Sequence, residues 1–355
     1  MKRLFCFLAT SLLTTFLSPP ITPAQDSSGK PIVRVIATGG TIAMKIDPLK
    51  KAPVPAVSGE DLVAAVPLIN QYAKIEVENF SNISSTYMGP DRWIPLQKAV
   101  QAALSRPEVA GVVVSHGTTT LEETAFFLDL TIQSPKPVVL TGAMRNASEG
   151  DFDGPRNLLN AVRICVSPEA KNKGVMIALN NQINAARGAT KTHTSGVETF
   201  KSGEFGFLGY ADYDRVIFYR NPLRRQTIPL ATDSLPYVEI VTMYAGASGA
   251  MVRAAVQNGT KGIVVQAFGW GNVNVPMYEA IKEAVSRGVA VVITSRSPMG
   301  RVLPVYGYPG GGKTLQEAGA VFADDLNAPK ARILLMLLLQ NKISDPAGIQ
   351  KYFDH

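Results

Sequence analysis

Cysteine is nearly missing from this chain. Two occur in 355 residues, Cys6 and Cys165, and Cys6 falls in an N-terminal segment that reads as removable. One remaining cysteine forms no internal disulfide, which excludes the disulfide-stapled exported domains. Cys165 lies in the apolar-periodic stretch Leu158–Val166 and is expected to be a buried small hydrophobe. Histidine is scarce as well. His116, His193 and His355 are far apart and hold no ligand spacing, so no metal site is expected. A dinucleotide cofactor is not expected either. Gly39-Gly40 follow the first apolar run, but GxGxxG is absent, and Pro48, Pro53 and Pro55 forbid a helix just beyond. No cofactor of any kind is called for by the residues. There is no internal repeat and no low-complexity tract.

Concentrated charge is missing too. The formal net charge is +7, yet the densest basic clusters are only Lys50-Lys51, Lys171–Lys173 and Arg224-Arg225. None carries interleaved aromatics, so they read as solvated faces and no nucleic-acid partner is expected. The apolar runs Leu4–Leu17 and Arg332–Gln340 are too short to span a bilayer comfortably. The first follows Lys2-Arg3, is broken by Pro19-Pro20, and leads to the small residues of Thr22-Pro23-Ala24. That is the order of a secretory signal peptide, placed at 1–24. The mature chain is then expected in the periplasm or secreted, without a membrane attachment.

What remains is 46% hydrophobic and 18% charged, an ordinary globular composition. Apolar β-branched runs alternate with helical spacing. Strands are expected at Pro31–Ala37, Lys74–Phe80, Lys136–Gly142 and Val175–Leu179, and helices at Pro90–Leu104 and within 151–166. Ser58, with Asp61 three residues on, marks a helix start. Met44–Val57 reads as a flexible loop and candidate lid, and Asn180–Ser195 as a polar segment. Prolines 222, 229 and 236 break the pattern, which then resumes at Val238–Met243, Gly262–Ala267 and Val289–Thr294, with helices near 249–258 and 276–287. Strict β/α alternation predicts an α/β fold with mostly parallel sheets. The divisions are 25–222 for an N-terminal domain carrying the catalytic residues, 223–236 for a linker, and 237–355 for a C-terminal domain.

The stretch Val112–Leu128, VVVSHGTTTLEETAFFL, reads as strand, tight turn and helix. Glu122 and Glu123 suit a helix N-terminus, where free N–H groups and the macrodipole favour negative charge. The threonines sit where α/β proteins place ligands. Thr119 or Thr120 can equally serve as a plain N-cap. Two other residues draw attention. Thr41 follows the glycine turn after the first strand, and Lys191 stands alone in the small, hydroxylic run TKTHTSG. A threonine hydroxyl becomes a nucleophile when a base takes its proton, and a lysine of lowered pKa is such a base. Taken singly, Thr41 also fits an ordinary loop residue and Lys191 a surface lysine.

The motifs together resemble the bacterial-type L-asparaginase family of homotetrameric amidohydrolases. The matching segments are ATGGTIA (Ala37–Ala43), HGTTTLEETAFFLDLT (His116–Thr131), PVVLTGAMR (Pro137–Arg145), DGPRNL (Asp153–Leu158), ATKTHT (Ala189–Thr194) and PKARILL (Pro329–Leu335). They occur in the family's order along nearly the whole mature chain. The resemblance implies a larger N-terminal flavodoxin-like domain and a smaller C-terminal α/β domain. It implies a homotetramer, a small-molecule amide substrate, and hydrolysis of asparagine through an acyl-enzyme with release of ammonia. Carried over by motif, Thr41 matches the nucleophile, Thr118 the second catalytic threonine and Lys191 the lysine paired with it. Ser85 matches the serine that holds the substrate α-carboxylate, and Ala143 the residue whose carbonyl helps hold the amide. Thr86, Gly117 and Thr119 fall at the neighbouring substrate-binding positions.

The departures are specific. The family pattern has an aspartate where this chain has Thr119, and Gln or Glu where it has Thr86. No tyrosine lies between Ala43 and Asp61, and no acid in Arg301–Gly312 matches the one lent to a neighbouring subunit, where Tyr306 or Tyr308 stands instead. An ammonium facing a hydroxyl rather than a carboxylate forgoes a charge-assisted hydrogen bond, on the order of 1.5–3 kcal/mol. Weaker binding of free asparagine is therefore expected. Two alternatives stay open: hydrolysis of an N-blocked or peptide-linked amide, and a non-catalytic periplasmic binding protein.

Overall fold

The structure is a computed structural model and describes residues 29–354. The predicted signal segment 1–24 lies outside the described residues, as does His355. Two sheets organise the chain. The larger has eight strands in the spatial order Val216–Phe218, Gly209–Ala211, Gln182–Ala185, Val175–Leu179, Val138–Thr141, Val109–Ser115, Ile32–Gly39 and Lys74–Ile83. The last five of these are mutually parallel. The first three form an antiparallel extension. The smaller sheet is wholly parallel, in the order Val238–Thr242, Gly262–Ala267, Ala290–Ser295 and Val321–Phe322. No helix among the described residues is long and apolar enough to cross a membrane.

The central strands are apolar throughout because both faces are covered. Val112 and Val114 point into one core with Phe126, Phe127 and Leu140, while Val113 points into another with Val33, Val35 and Leu158. This is the period of two expected of a pleated strand. The helix Ala328–Gln340 packs against the helix Leu121–Thr131 on one side and the smaller sheet on the other. It is apolar nearly all round because it is buried from both directions. One core therefore continues through both sheets.

Several expected elements need correction. Met44–Val57 is not an open loop. Met44–Asp47 and Ala52–Pro55 pair as an antiparallel ribbon, with Asp47 Oδ1 accepting from the N–H groups of Leu49 and Lys50 in the turn. Prolines are tolerated in such a ribbon because it has two edges and no central strand. The polar segment 180–195 contains the strand Gln182–Ala185 and the short strand Thr190–Lys191, which pairs with Phe200–Lys201. Arg224-Arg225 is not a purely solvated pair. Arg224 binds Asp324 and Asp325, and Arg225 lies 3.6 Å from buried Asp129. Cys165 is buried and free. Ser58 and Asp61 form a full capping box at the helix Gly59–Ala64.

Candidate active site

In chain order, the five parallel strands of the larger sheet run 2-1-3-4-5 across space. The sense in which the chain adds strands across the sheet reverses between the parallel neighbours Ile32–Gly39 and Val109–Ser115. That reversal opens a crevice at the strands' carboxyl ends, where α/β sheets bind ligands. Thr38–Thr41 and His116–Thr119 are the two chain segments that leave there.

Glycine makes the crevice. Gly39 and Gly40 have φ of +105° and +83°. A Cβ on Gly40 would stand 2.2 Å from Gly117 Cα, and one on Gly117 would stand 2.5 Å from Ser85 Oγ. The backbones of both segments thus touch, and Ser85 closes against them. Thr38 Oγ1 donates to Ser115 O at 2.8 Å and ties the two strand ends together. Thr41 opens a 3-10 turn, Thr41–Ala43, immediately after this contact, and is half-buried.

Thr118 is buried, 5% exposed. Lys191 Nζ reaches it across the sheet and lies 2.9 Å from its Oγ1. Thr190–Lys191 is an isolated ribbon, so its placement needs a tie. Glu122, in the first turn of the helix after the threonines, accepts the Lys191 backbone N–H at 2.6 Å. Burial pushes the Lys191 amine below the ordinary lysine range, and the Glu122 carboxylate opposes that push without cancelling it. A half-buried amine, easier to deprotonate than usual and bonded to a hydroxyl, is a base beside a hydroxyl.

The substrate-side residues divide. Ser85 is buried, 4% exposed, and its carbonyl accepts from Thr120 Oγ1 at 2.7 Å. Thr120 occupies the N-cap position, but its side chain does not cap the helix. The plain N-cap reading of that hydroxyl is replaced by one in which it fixes Ser85. Ala143 is fully buried at the end of the adjacent strand. The following N–H groups of Met144 and Arg145 are held by Asp153, and Asn157 Nδ2 holds the carbonyl of Gly142. Thr86 and Thr119 are both exposed, and Thr86 Oγ1 donates to Ser84 Oγ. Tyr306 and Tyr308 are exposed and stack in line with Trp270. Buried His116 is held neutral, its pKa lowered to about 4 by desolvation, with Nδ1 2.8 Å from Gly117 O.

Sequence reasoning missed Glu122 and Thr120 as supports. A signal was present for Glu122, an acid four residues after Thr118 on the same turn. Thr120 had none, because its partner is a backbone carbonyl 35 residues away.

Fold and site together define a two-domain α/β protein that presents a hydroxyl–amine pair at a sheet's switch point. The chain belongs to the asparaginase family. Residues 32–224 match the asparaginase N-terminal domain and residues 237–353 the glutaminase/asparaginase C-terminal domain. It is 38% identical over 341 residues to L-asparaginase 2 of Bacillus subtilis, covering 93% of this chain and 88% of that one. A protein of Haemophilus influenzae named probable periplasmic L-asparaginase is 38% identical over 93% of this chain and 94% of its own. Among solved structures, a probable cytoplasmic L-asparaginase from Campylobacter jejuni is similar with a TM-score of 0.82 and 41% identity, over 91% of this chain and 99% of that one.

Proposed function

We propose that the chain is an exported amidohydrolase that converts L-asparagine to L-aspartate and ammonia through a threonine nucleophile. The observation that carries this reading is the 2.9 Å contact between Lys191 Nζ and Thr118 Oγ1 in the switch-point crevice. In the forward step the Thr41 hydroxyl oxygen bonds to the side-chain carbonyl carbon. Its proton passes to the Thr118–Lys191 pair, and that pair returns a proton to the amide nitrogen as the C–N bond breaks. Ammonia leaves and an acyl ester remains on Thr41. Water then cleaves the ester, with the same pair taking and returning the proton. Ser85, beside Gly117, meets the substrate carboxylate, and the Ala143 carbonyl meets the amide. Thr86 and Thr119 line the outer rim.

A second reading exchanges the roles of the two threonines. Thr118 is the hydroxyl bonded to the amine, which is the geometry of a nucleophile with its base. Rapid quenching with mass spectrometry of the trapped acyl-enzyme separates the two. Acyl groups on the Thr41 peptide support the first reading, and acyl groups on the Thr118 peptide overturn it.

An alternative substrate, an N-blocked or peptide-linked amide, follows from the neutral hydroxyl of Thr119 standing where the family pattern has an aspartate. Higher kcat/KM for an N-acetylated or peptide-linked asparagine than for the free amino acid would establish that preference. Export rests on the composition of residues 1–24, and the relatives' names include both periplasmic and cytoplasmic proteins. N-terminal sequencing of protein recovered from the cell envelope tests it, with a start near residue 25 expected. The homotetramer and the domain limits 25–222, 223–236 and 237–355 complete the proposal.

A further inference from the structure

Lys330 is a lysine in a place that opposes its charge. It is 2% exposed. It is the third residue of the helix Ala328–Gln340, and its backbone N–H is capped by Asn327. A cation at a helix N-terminus is disfavoured by the macrodipole. Burial, with Arg187 nearby, lowers its pKa to about 8, against the attraction of Glu122, Asp129 and Asp325. A position with these penalties would ordinarily hold an apolar residue.

Its contacts show what the amine does there. Nζ donates to the carbonyl of Arg187 at 2.8 Å and to that of Ala189. It also lies over the ring of Phe126, 5.9 Å from the centroid. Ala189 directly precedes the Thr190–Lys191 strand. Glu122, the charge that most favours the ammonium of Lys330, is also the group that holds the Lys191 backbone. A cavity of about 390 Å3 lies along the same segment, lined by Arg187, Gly188, Thr190 and Thr192 as well as Lys330. Packing therefore leaves the segment room to shift on that side, and the two hydrogen bonds from Lys330 restrain it together with the Arg187–Asp325 ion pair and the N–H groups of Gly188 and Ala189 bonded to the Ala185 carbonyl.

We propose that Lys330 is a positioning residue. It braces the Arg187–Ala189 segment from the helix that joins the two sheets, and so keeps the Lys191 amine at hydrogen-bond distance from Thr118. This rests on the reading of Thr118 and Lys191 as the proton-handling pair.

Lys330→Met keeps the length and removes the donors. A displacement of about 1 Å at Lys191 is enough to lower kcat on the order of 100-fold. KM on asparagine should change little, because the braced segment does not hold the substrate. The acid limb of the kcat–pH profile should also move to higher pH, as Lys191 relaxes toward solvent and its pKa rises. Gln340→Ala, on the same helix, is the control. It frees the linker carbonyls of Thr232 and Ser234 and should lower Tm while leaving kcat and the acid limb unchanged. Should the Met variant fail to fold, Lys330→Gln takes its place, since its amide retains a donor and should show the same shifts, smaller. Wild-type kcat with an unmoved acid limb in the Lys330 variant overturns the proposal, provided Lys191→Met is inactive. If Lys191→Met is itself active, the pair is not the proton-handling group, and the brace loses its function with it.

Discussion

In the proposed mechanism Lys191 is the residue on which the chemistry turns, and its environment decides its protonation. Its folded-state pKa lies below the ordinary lysine value, with burial the larger cause. The neutral amine is therefore more abundant at a given pH than on an exposed lysine. As pH falls through the lowered pKa the amine takes a proton and can no longer accept one from a hydroxyl. The expected profile of kcat/KM rises from acid toward alkaline pH, and Glu122→Gln should move that rise to lower pH, because it removes the carboxylate that favours the ammonium. A pH series on wild type and variant checks both points. At Ser85 the support is Thr120, whose hydroxyl bonds the Ser85 carbonyl. Thr120→Val removes one hydrogen bond worth about 1 kcal/mol. Steady-state kinetics should show KM raised about fivefold, with kcat within a factor of two of wild type.

At the scale of elements, the site exists because two strand ends approach without side chains between them. Gly40 has positive φ and faces Gly117 at a separation no Cβ can share. Gly40→Ala combines a left-handed strain with a backbone clash, and should lower stability by about 2 kcal/mol or more in chemical denaturation. Activity should fall further than stability, since Thr41 is next in sequence. These elements were largely legible beforehand. Val109–Ser115 and Gly262–Ala267 are continuous apolar runs bounded by turns, and Pro90–Leu104 shows clean helical spacing, so periodicity alone places them. The ribbon at Met44–Pro55 and the strands at 182–185, 209–211 and 216–218 were not legible. They are short, polar or proline-containing, and their pairing is set by distant partners rather than by local pattern. For the candidate site, motif resemblance pointed to Thr41, Thr118 and Lys191. Residue spacing alone could not show that Lys191 crosses 73 positions to meet Thr118.

For the whole molecule, the junction of the two sheets matters most. Arg187 and Asp325, 13% and 10% exposed at their side chains, pair at 2.6 Å across it, and Arg224 adds a second contact to Asp325. Breaking such a mostly buried pair by removing one partner leaves an uncompensated charge, at about 3–5 kcal/mol. Asp325→Ala should lower the denaturation midpoint by the corresponding amount, and Arg187→Ala by less, because Arg224 still pairs with Asp325, with the double variant less than additive. Trp270, Tyr306 and Tyr308 form an exposed aromatic stack on the smaller domain, consistent with the proposed association of subunits. Light scattering on the purified mature chain should give four times the monomer mass.

The most direct test of the central claim is ammonia release from L-asparagine by the mature protein at neutral pH, measured beside Thr118→Ala. The expected result is turnover in the wild type that drops by at least about 1000-fold in the variant. Equal release by both proteins would contradict the assignment of the Thr118–Lys191 pair as the working part of the site.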